Sequence, residues 1–414
     1  MILFSHPTGN ANVRYAALGL ERAGLLGEFW TCIDYQEGPF SKRLLPGAIA
    51  SQLRRRSTPA ELARRVHTQP FREFMRLVSP KLGLERLVRH EVGPFSVDGV
   101  YRALDRKVAS RLGKKAFTGV YAYEDGAVAC FEAAERMGIA RLYDLPIAYW
   151  RTARNLLVEE AEREPEWAAT LTGNSDSPDK NDRKDAELRL ANRVFVASSF
   201  TERSLADAPD FKGTVTRITY GAPVPSSLGP TEGRHRAQND RLRVLFVGGL
   251  SQRKGLSYLF EACRRLEGAV ELTVIGRPAV AGCAALERAL ASVNWIPSCS
   301  HSEVLAAMRA HEVFIFPSLF EGFGLVLLEA MAQGLPVVAT PHTAAPDLIT
   351  DGVEGFIIPI RSVDAIIDRL TRLRADPALQ AGMGEAARKR AQAYTWEAYG
   401  DTLAACVRAE IRRL

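Results

Sequence analysis

A chain of 414 residues, 47% of them apolar and with a net charge of +6, is long enough for two or three domains and can build a large core. No run of about 18 apolar residues occurs, which excludes a spanning helix at the level of sequence. Six scattered cysteines, Cys32, Cys130, Cys263, Cys283, Cys299 and Cys406, form no Cys-x-x-Cys pair, which argues for a reducing cytosol and against a disulfide or cysteine–zinc framework.

Met1 to Ser5 reads as a first strand, with no basic leader or small-residue cleavage site, so no signal peptide is expected. His6 to Asn12 then leads into a helix from about Val13 to Ala23. A glycine loop between strand and helix can take an anion through its amides, or be an ordinary connection. Residues 42 to 90 carry twelve Lys and Arg against Glu61, Glu73 and Glu85, interleaved with apolar residues and broken by Pro46, Pro59, Pro70 and Pro80. Such short basic amphipathic helices suit an anionic membrane surface, or a solvated helical insertion packed on its domain. No nucleic-acid-binding motif accompanies them.

Two more strand–helix units follow, at Gly119–Gly126 and Ala140–Pro146. Glu124 and Asp125 end one strand and Asp144 lies at the end of the next, with Tyr149, Trp150 and Arg151 beyond. Open α/β sheets place their ligand crevice at that edge. Residues 172 to 185 are almost wholly polar and read as an exposed loop, not a metal site. A further strand, Asn192 to Ser199, precedes a helix from Thr201. Gly221 to Asp240, rich in Pro and Gly, is the best linker in the chain. After it the strand–helix rhythm restarts with Arg243–Gly248, Leu272–Gly276, Val313–Phe316, Pro336–Thr340 and Gly355–Pro359. Buried strands alternating with helices predict a second parallel sheet covered on both faces.

Two stretches of the second half concentrate chemistry. Gly248-Gly-Leu-Ser-Gln-Arg-Lys-Gly255 follows a strand, and its Arg253 and Lys254 can neutralise a diphosphate. Phe316-Pro-Ser-Leu-Phe-Glu-Gly-Phe-Gly-Leu-Val-Leu-Leu-Glu329 runs from a strand through a glycine turn into a helix that Gly334 and Pro336 close. The first amides of that helix make an anion site. Glu321 and Glu329, with seven residues between them, bracket it and can accept hydroxyls. A nucleotide sugar offers both groups, although a capping box or a solvated face also accounts for glutamates at a helix start.

Together, Phe316 to about Pro359 and Val244 to Gly255 resemble the retaining glycosyltransferases of the GT-B fold, family 4 type, whose signature is Glu, seven residues, Glu. The likeness implies an α/β fold of two Rossmann-like parallel-sheet domains facing across a cleft, with a C-terminal helix returning to the first. The expected boundaries are 1–222 for an acceptor domain with a basic helical insertion at about 42–95, 223–240 for the linker, 241–395 for the donor domain and 396–414 for the return helix. It implies Glu321, Arg253 and Lys254 as catalytic, and Gly249, Arg277, Ile296, Phe323, Gly324, Leu325 and Glu329 as donor-binding. It also makes Gly9, Asn10, Asn12, Arg14, Glu124, Asp125, Asp144 and Tyr149 acceptor-side or cleft residues.

Three departures stand out. Gly249 replaces a frequent Arg, whose charge Arg253 is expected to supply. No His follows Tyr143-Asp-Leu-Pro146, where many relatives carry one near the sugar, and Ala344–Asp347 replaces a glycine pair with Pro-Glu. Ser302 is expected to cap its helix. The implied activity is retaining transfer of a hexose-type sugar from a UDP- or GDP-sugar to a glycan or lipid-linked acceptor, in cell-surface polysaccharide synthesis. It needs no metal or cofactor, and takes place in the cytoplasm or at the inner membrane face. A non-catalytic nucleotide-sugar-binding subunit, or another GT-B enzyme such as an epimerase or phosphorylase, remains the alternative.

Overall fold

The computed structural model describes residues 1–36, 53, 56–208, 210–223 and 241–413. Two parallel sheets organise the chain. The first contains β1 (Ile2–Ser5), β2 (Leu26–Thr31), β3 (Val66–Thr68), β4 (Gly119–Tyr123), β5 (Ala140–Leu145), β6 (Arg193–Val196) and β7 (Thr214–Arg217), in the order β3-β2-β1-β4-β5-β6-β7. The second contains β8 (Leu242–Val247), β9 (Val270–Ile275), β10 (Asn294–Ile296), β11 (Val313–Phe316), β12 (Val337–Ala339) and β13 (Gly355–Ile357), in the order β10-β9-β8-β11-β12-β13.

Each order reverses once, between β1 and β4 and between β8 and β11. The loops leaving those strands therefore diverge to opposite faces and open a crevice at the carboxyl edge. β11 shows why these strands form: all four of its residues are buried, and each such apolar side chain contributes roughly 1.5–3 kcal/mol by leaving water. Helix Trp396–Arg413 packs along Ala11–Arg22 of the first domain, so the return helix lies where the resemblance implies. The second chain crossing runs beside it, with the Ala222 amide donating to the Tyr394 carbonyl at 2.8 Å. Tyr15, Tyr220, Phe323, Trp396 and Tyr399 pack together at this crossing.

One expected loop is a helix. Residues 178–190 form Pro178–Leu190, capped by the Ser177 hydroxyl. Its composition is polar because it packs against charge. Glu187 is buried and accepts from the amides of Asp125 and Ala127 and from the Tyr143 hydroxyl, each at 2.9 Å. The expected linker from 224 onward and residues 42–52, 54 and 55 of the basic stretch lie outside the described residues.

In the rest of that stretch several cations face inward. Arg56 and Arg76 both bind the buried Glu73, at 2.7 and 2.6 Å. Arg65 binds Glu21, and Arg72 donates to the Pro94 carbonyl. The segment is thus less uniformly wet than its sequence implies. The apolar residues around helix Pro70–Val78 depart from the pattern in the other direction: Phe71 is 65% exposed and Phe74 55%.

Candidate active site

The Gln252–Lys254 turn leaves β8, and the Pro317–Gly324 loop leaves β11 beside it. Gly255 closes the turn at φ +69°, and a Cβ there would stand 2.1 Å from the Pro317 carbonyl oxygen, so only glycine lets the segments touch. This contact brings Arg253 and Lys254 onto one oxygen. Arg253 Nη1 donates to Glu321 Oε1 at 2.7 Å and to the Phe320 carbonyl at 3.0 Å, and the Lys254 ammonium meets the same Oε1. Lys254 also lies 4.8 Å from the centre of the Phe316 ring. Burial lowers its pKa and the Glu321 carboxylate opposes that shift. Two cations on one carboxylate leave a net positive charge, directly before the helix Leu325–Ala332.

That helix starts at Gly324, in the left-handed region at φ +84°. Its first amides and the positive end of its dipole face the same space. Phe323 turns inward, 5.0 Å from Tyr220. Glu329 reaches His301, 2.9 Å from its Nε2. The helix His301–Ala310 is capped by Ser300 in a capping box with Glu303, so the expected cap at Ser302 falls two residues late. Gly249 is open, with nothing within 4 Å of an added Cβ. Arg277 is exposed and lines an apolar cavity of about 690 Å³ with Trp295. The Ile296 carbonyl accepts the Gly276 amide at 3.0 Å.

The first domain touches this loop closely. The hydroxyls of Ser198 and Thr201 donate to the Gly322 carbonyl at 2.5 and 3.0 Å. A Cβ on Gly322 would lie 1.8 Å from the Pro146 carbonyl oxygen. Between the domains lies a cavity of about 280 Å³, lined among others by Glu124, Trp150, Arg154, Asp176, Lys184, Arg253 and Phe320. Burial pushes the Glu124 carboxyl up to about 7, against the pull of Lys184.

Several expected cleft residues take other roles. Asp144 is enclosed beneath the sheet edge, accepts from the Tyr121 hydroxyl at 2.7 Å, and is raised by burial to about 7. Tyr149 is fully buried, with its hydroxyl on Asp185. Neither side chain lines the cavity: Asp144 is enclosed among Tyr121, Tyr220 and Tyr399, and the Tyr149 hydroxyl is engaged by Asp185 and Arg151. Asp125 faces Lys180 at 3.6 Å. Asn12 is buried against Tyr220, and Arg14 donates to the Ser57 carbonyl. Asn10 is the N-cap residue of its helix, without a side-chain bond.

The amide of Gly9, expected to meet an anion, donates instead to His6 Nδ1 at 3.0 Å, as does that of Thr8 at 3.1 Å. His6 is buried and burial lowers its pKa to about 3, so it stays neutral with its proton on Nε2. Trp150, which the sequence places at this edge, does line the cavity, whereas Arg154 and Lys184 reach it from helices whose composition gives no sign of it.

Comparison with known proteins agrees with this geometry. Residues 231–390 match the family model of the glycosyl transferases group 1. The D-inositol 3-phosphate glycosyltransferase of Streptomyces bingchenggensis is 31% identical over 190 residues, covering 41% of this chain and 42% of that protein. The Mycobacterium bovis protein of the same name is 34% identical over 185 residues, covering 42% and 38%. The chain thus spans about two fifths of the relatives it matches.

Whole-chain likeness appears in structure. Sucrose-phosphate synthase from Thermosynechococcus elongatus superposes with a TM-score of 0.65 at 18% identity, covering 100% of this chain and 99% of that one. Anabaena HepE in complex with UDP-glucose gives 0.62 at 16%, covering 99% of each. The architecture is GT-B: two Rossmann-like domains across a cleft. Within it, the likeness to the glycosyl transferases group 1 is confined to residues 231–390, in the C-terminal domain.

Proposed function

We propose that this chain is a retaining glycosyltransferase that moves a hexose-type sugar from a nucleoside diphosphate sugar to a lipid-linked or glycan acceptor. The carrying observation is the convergence of Arg253 and Lys254 on Glu321 at the start of the helix Leu325–Ala332. A diphosphate leaving as the glycosidic bond breaks gathers negative charge, and two cations and a row of amides fixed in advance stabilise it. Glu321 then orients the donor sugar and Glu329, steadied by His301, accepts ribose hydroxyls. The reading needs no metal, since the protein's own cations balance the diphosphate. The acceptor enters the cavity between Glu124 and Arg253, and Glu124, raised to about 7, is poised to accept a hydroxyl proton.

The membrane half of the reading rests on Phe71, Phe74, Leu82, Leu84, Val92 and Val97. These are six of the eleven exposed large apolar residues among the described ones, and they fall within 27 positions beside exposed Lys81, Arg86 and Arg89. The patch also adjoins the acceptor cavity. His90 Nε2 lies 3.2 Å from Asp176, a cavity residue, and the Ser177 amide donates to Glu91 at 2.8 Å. An acceptor whose tail stays in the bilayer can thus present its head group to the cleft. Among the described residues no helix is long and apolar enough to cross a membrane, so contact would be peripheral.

The test is nucleoside diphosphate release from a panel of UDP- and GDP-sugars with membrane lipid extract as acceptor, with and without EDTA. Release that needs both donor and extract, and survives EDTA, is expected. Donor binding without release would instead make the chain a binding subunit. Flotation with anionic vesicles should carry wild type upward and leave Phe71→Ser/Phe74→Ser behind at an unchanged melting temperature. Wild type remaining at the bottom would remove the membrane contact.

A further inference from the structure

The two cations are not held by their own domain alone. Gln252, immediately before Arg253, is completely buried, and what buries it is the other domain. Its backbone amide donates to Thr170 Oγ1 at 2.8 Å, and its side-chain Nε2 donates to Glu160 Oε1 at 2.7 Å. Glu160 sits near the end of helix Trp150–Arg163 of the first domain and is itself fully buried. Its other partners also come from across the cleft. The Tyr258 hydroxyl donates to Oε1 at 2.9 Å and Arg361 Nε to Oε2 at 2.7 Å. Arg361 holds a left-handed backbone conformation at φ +62°, unusual for a side chain of its size, and adds Glu159 at 2.9 Å and the Leu156 carbonyl.

One carboxylate of the first domain thus gathers three donors of the second, and one of them is the residue next to the cations. If the domains part, Glu160 loses all three and Gln252 loses both bonds to the first domain. The turn that aims Arg253 and Lys254 at Glu321 then keeps its bonds within the second domain, to Ser257, Leu319, Phe320 and Glu321, but has lost both anchors in the first.

We propose that Glu160 is a positioning residue that ties charge placement to domain closure. It touches no reacting atom. When the cleft shuts, it seizes Gln252 and fixes the turn, so the cations are set for the diphosphate only once the two domains meet. A donor bound to an open molecule then meets an incomplete site, which protects it from water before the acceptor domain arrives. The inference rests on the transferase reading for its kinetic consequence, but its geometric part stands without it.

Three variants test it. Glu160→Gln leaves one acceptor oxygen where Gln252 and Arg361 each need one, and Gln252→Glu sets two carboxylates face to face. In the Glu160→Gln/Gln252→Glu double variant the carboxylate and amide have exchanged sides and the pair is complementary again. Each single change is expected to lower kcat at least tenfold while donor Kd stays within threefold, and the exchange should recover most of the loss. Fragile folding alone would lower the melting temperature of all three and recover nothing on exchange. That result, or unchanged kcat in both single variants, would overturn the proposal.

Small-angle scattering supplies a readout that needs no activity. Glu160→Gln should have a larger radius of gyration than wild type, and equal radii would also overturn the proposal. A wild type that binds no donor and transfers nothing sinks the transferase reading instead, and the scattering comparison then decides the coupling by itself.

Discussion

At the scale of single residues, the site depends on where charge is allowed. Arg253 stands four positions after Gly249, yet its guanidinium reaches the carboxylate that Lys254 also holds. Removing it should lower kcat/KM by roughly a hundredfold, in the range found for loss of one preorganised donor. Gly249 has empty space around it, so Gly249→Arg should fold normally and restore part of the activity to Arg253→Ala. No recovery would show that the cation works only from position 253. Asp144 provides a pH test. Its folded-state value of about 7 lies above the ordinary 3.8, so an unfolded chain sheds this proton first as pH rises. The carboxyl therefore costs stability progressively from about pH 4 to pH 7, up to roughly 4 kcal/mol in all. Asp144→Asn should gain in melting temperature over wild type as pH goes from 5 to 8. A pH-independent difference would mean that Asp144 is ionised in the fold throughout.

At the scale of elements, the parts that were legible in the sequence are those whose pattern is local. β1, β8 and β11 are apolar runs, interrupted only by Ser5 and Arg243, that end in Gly or Pro loops, and the helix after Gly324 announces itself by its glycine turn. The others hide for physical reasons. β2 carries Glu28 at its centre, a buried carboxylate that Arg111 and the Trp30 indole satisfy from far along the chain and from two residues away. Helix Pro178–Leu190 buries Lys180, Asn181 and Glu187 through polar partners and has only Leu188 and Leu190 for the core, so its composition resembles a loop. The basic insertion misled in the same way. Glu73 is buried between Arg56 and Arg76 and holds the insertion together. Glu73→Gln leaves two cations short of a partner and should destabilise by about 1–3 kcal/mol, read as a lower urea midpoint with unchanged slope. An unaffected midpoint would mean that the insertion is held by its apolar contacts alone.

At the scale of the whole molecule, the two-domain plan could be read from the linker and the restarted rhythm, and the proposed donor half of the site from Arg253, Lys254, Glu321 and Glu329. The acceptor half could not. Asp144 and Tyr149 carry suitable groups at suitable strand ends, yet the chain turns them beneath the surface, while Arg154 and Lys184 arrive from helix faces whose direction depends on tertiary packing. Contacts that cross the cleft, such as Glu160 to Gln252 and Ser198 to Gly322, join residues about 90 and 120 positions apart, and no local pattern encodes them.

The central claim is that the second domain binds a nucleoside diphosphate through the Lys254 and Arg253 turn. Its most direct test is thermal melting of wild type and Lys254→Ala with UDP, GDP, ADP and their common sugars. A ligand at a hundredfold its Kd stabilises the fold by about 2.7 kcal/mol. One nucleotide should therefore raise the wild-type midpoint by several degrees and leave the variant unmoved. No rise with any nucleotide, or an equal rise in both proteins, would contradict the account.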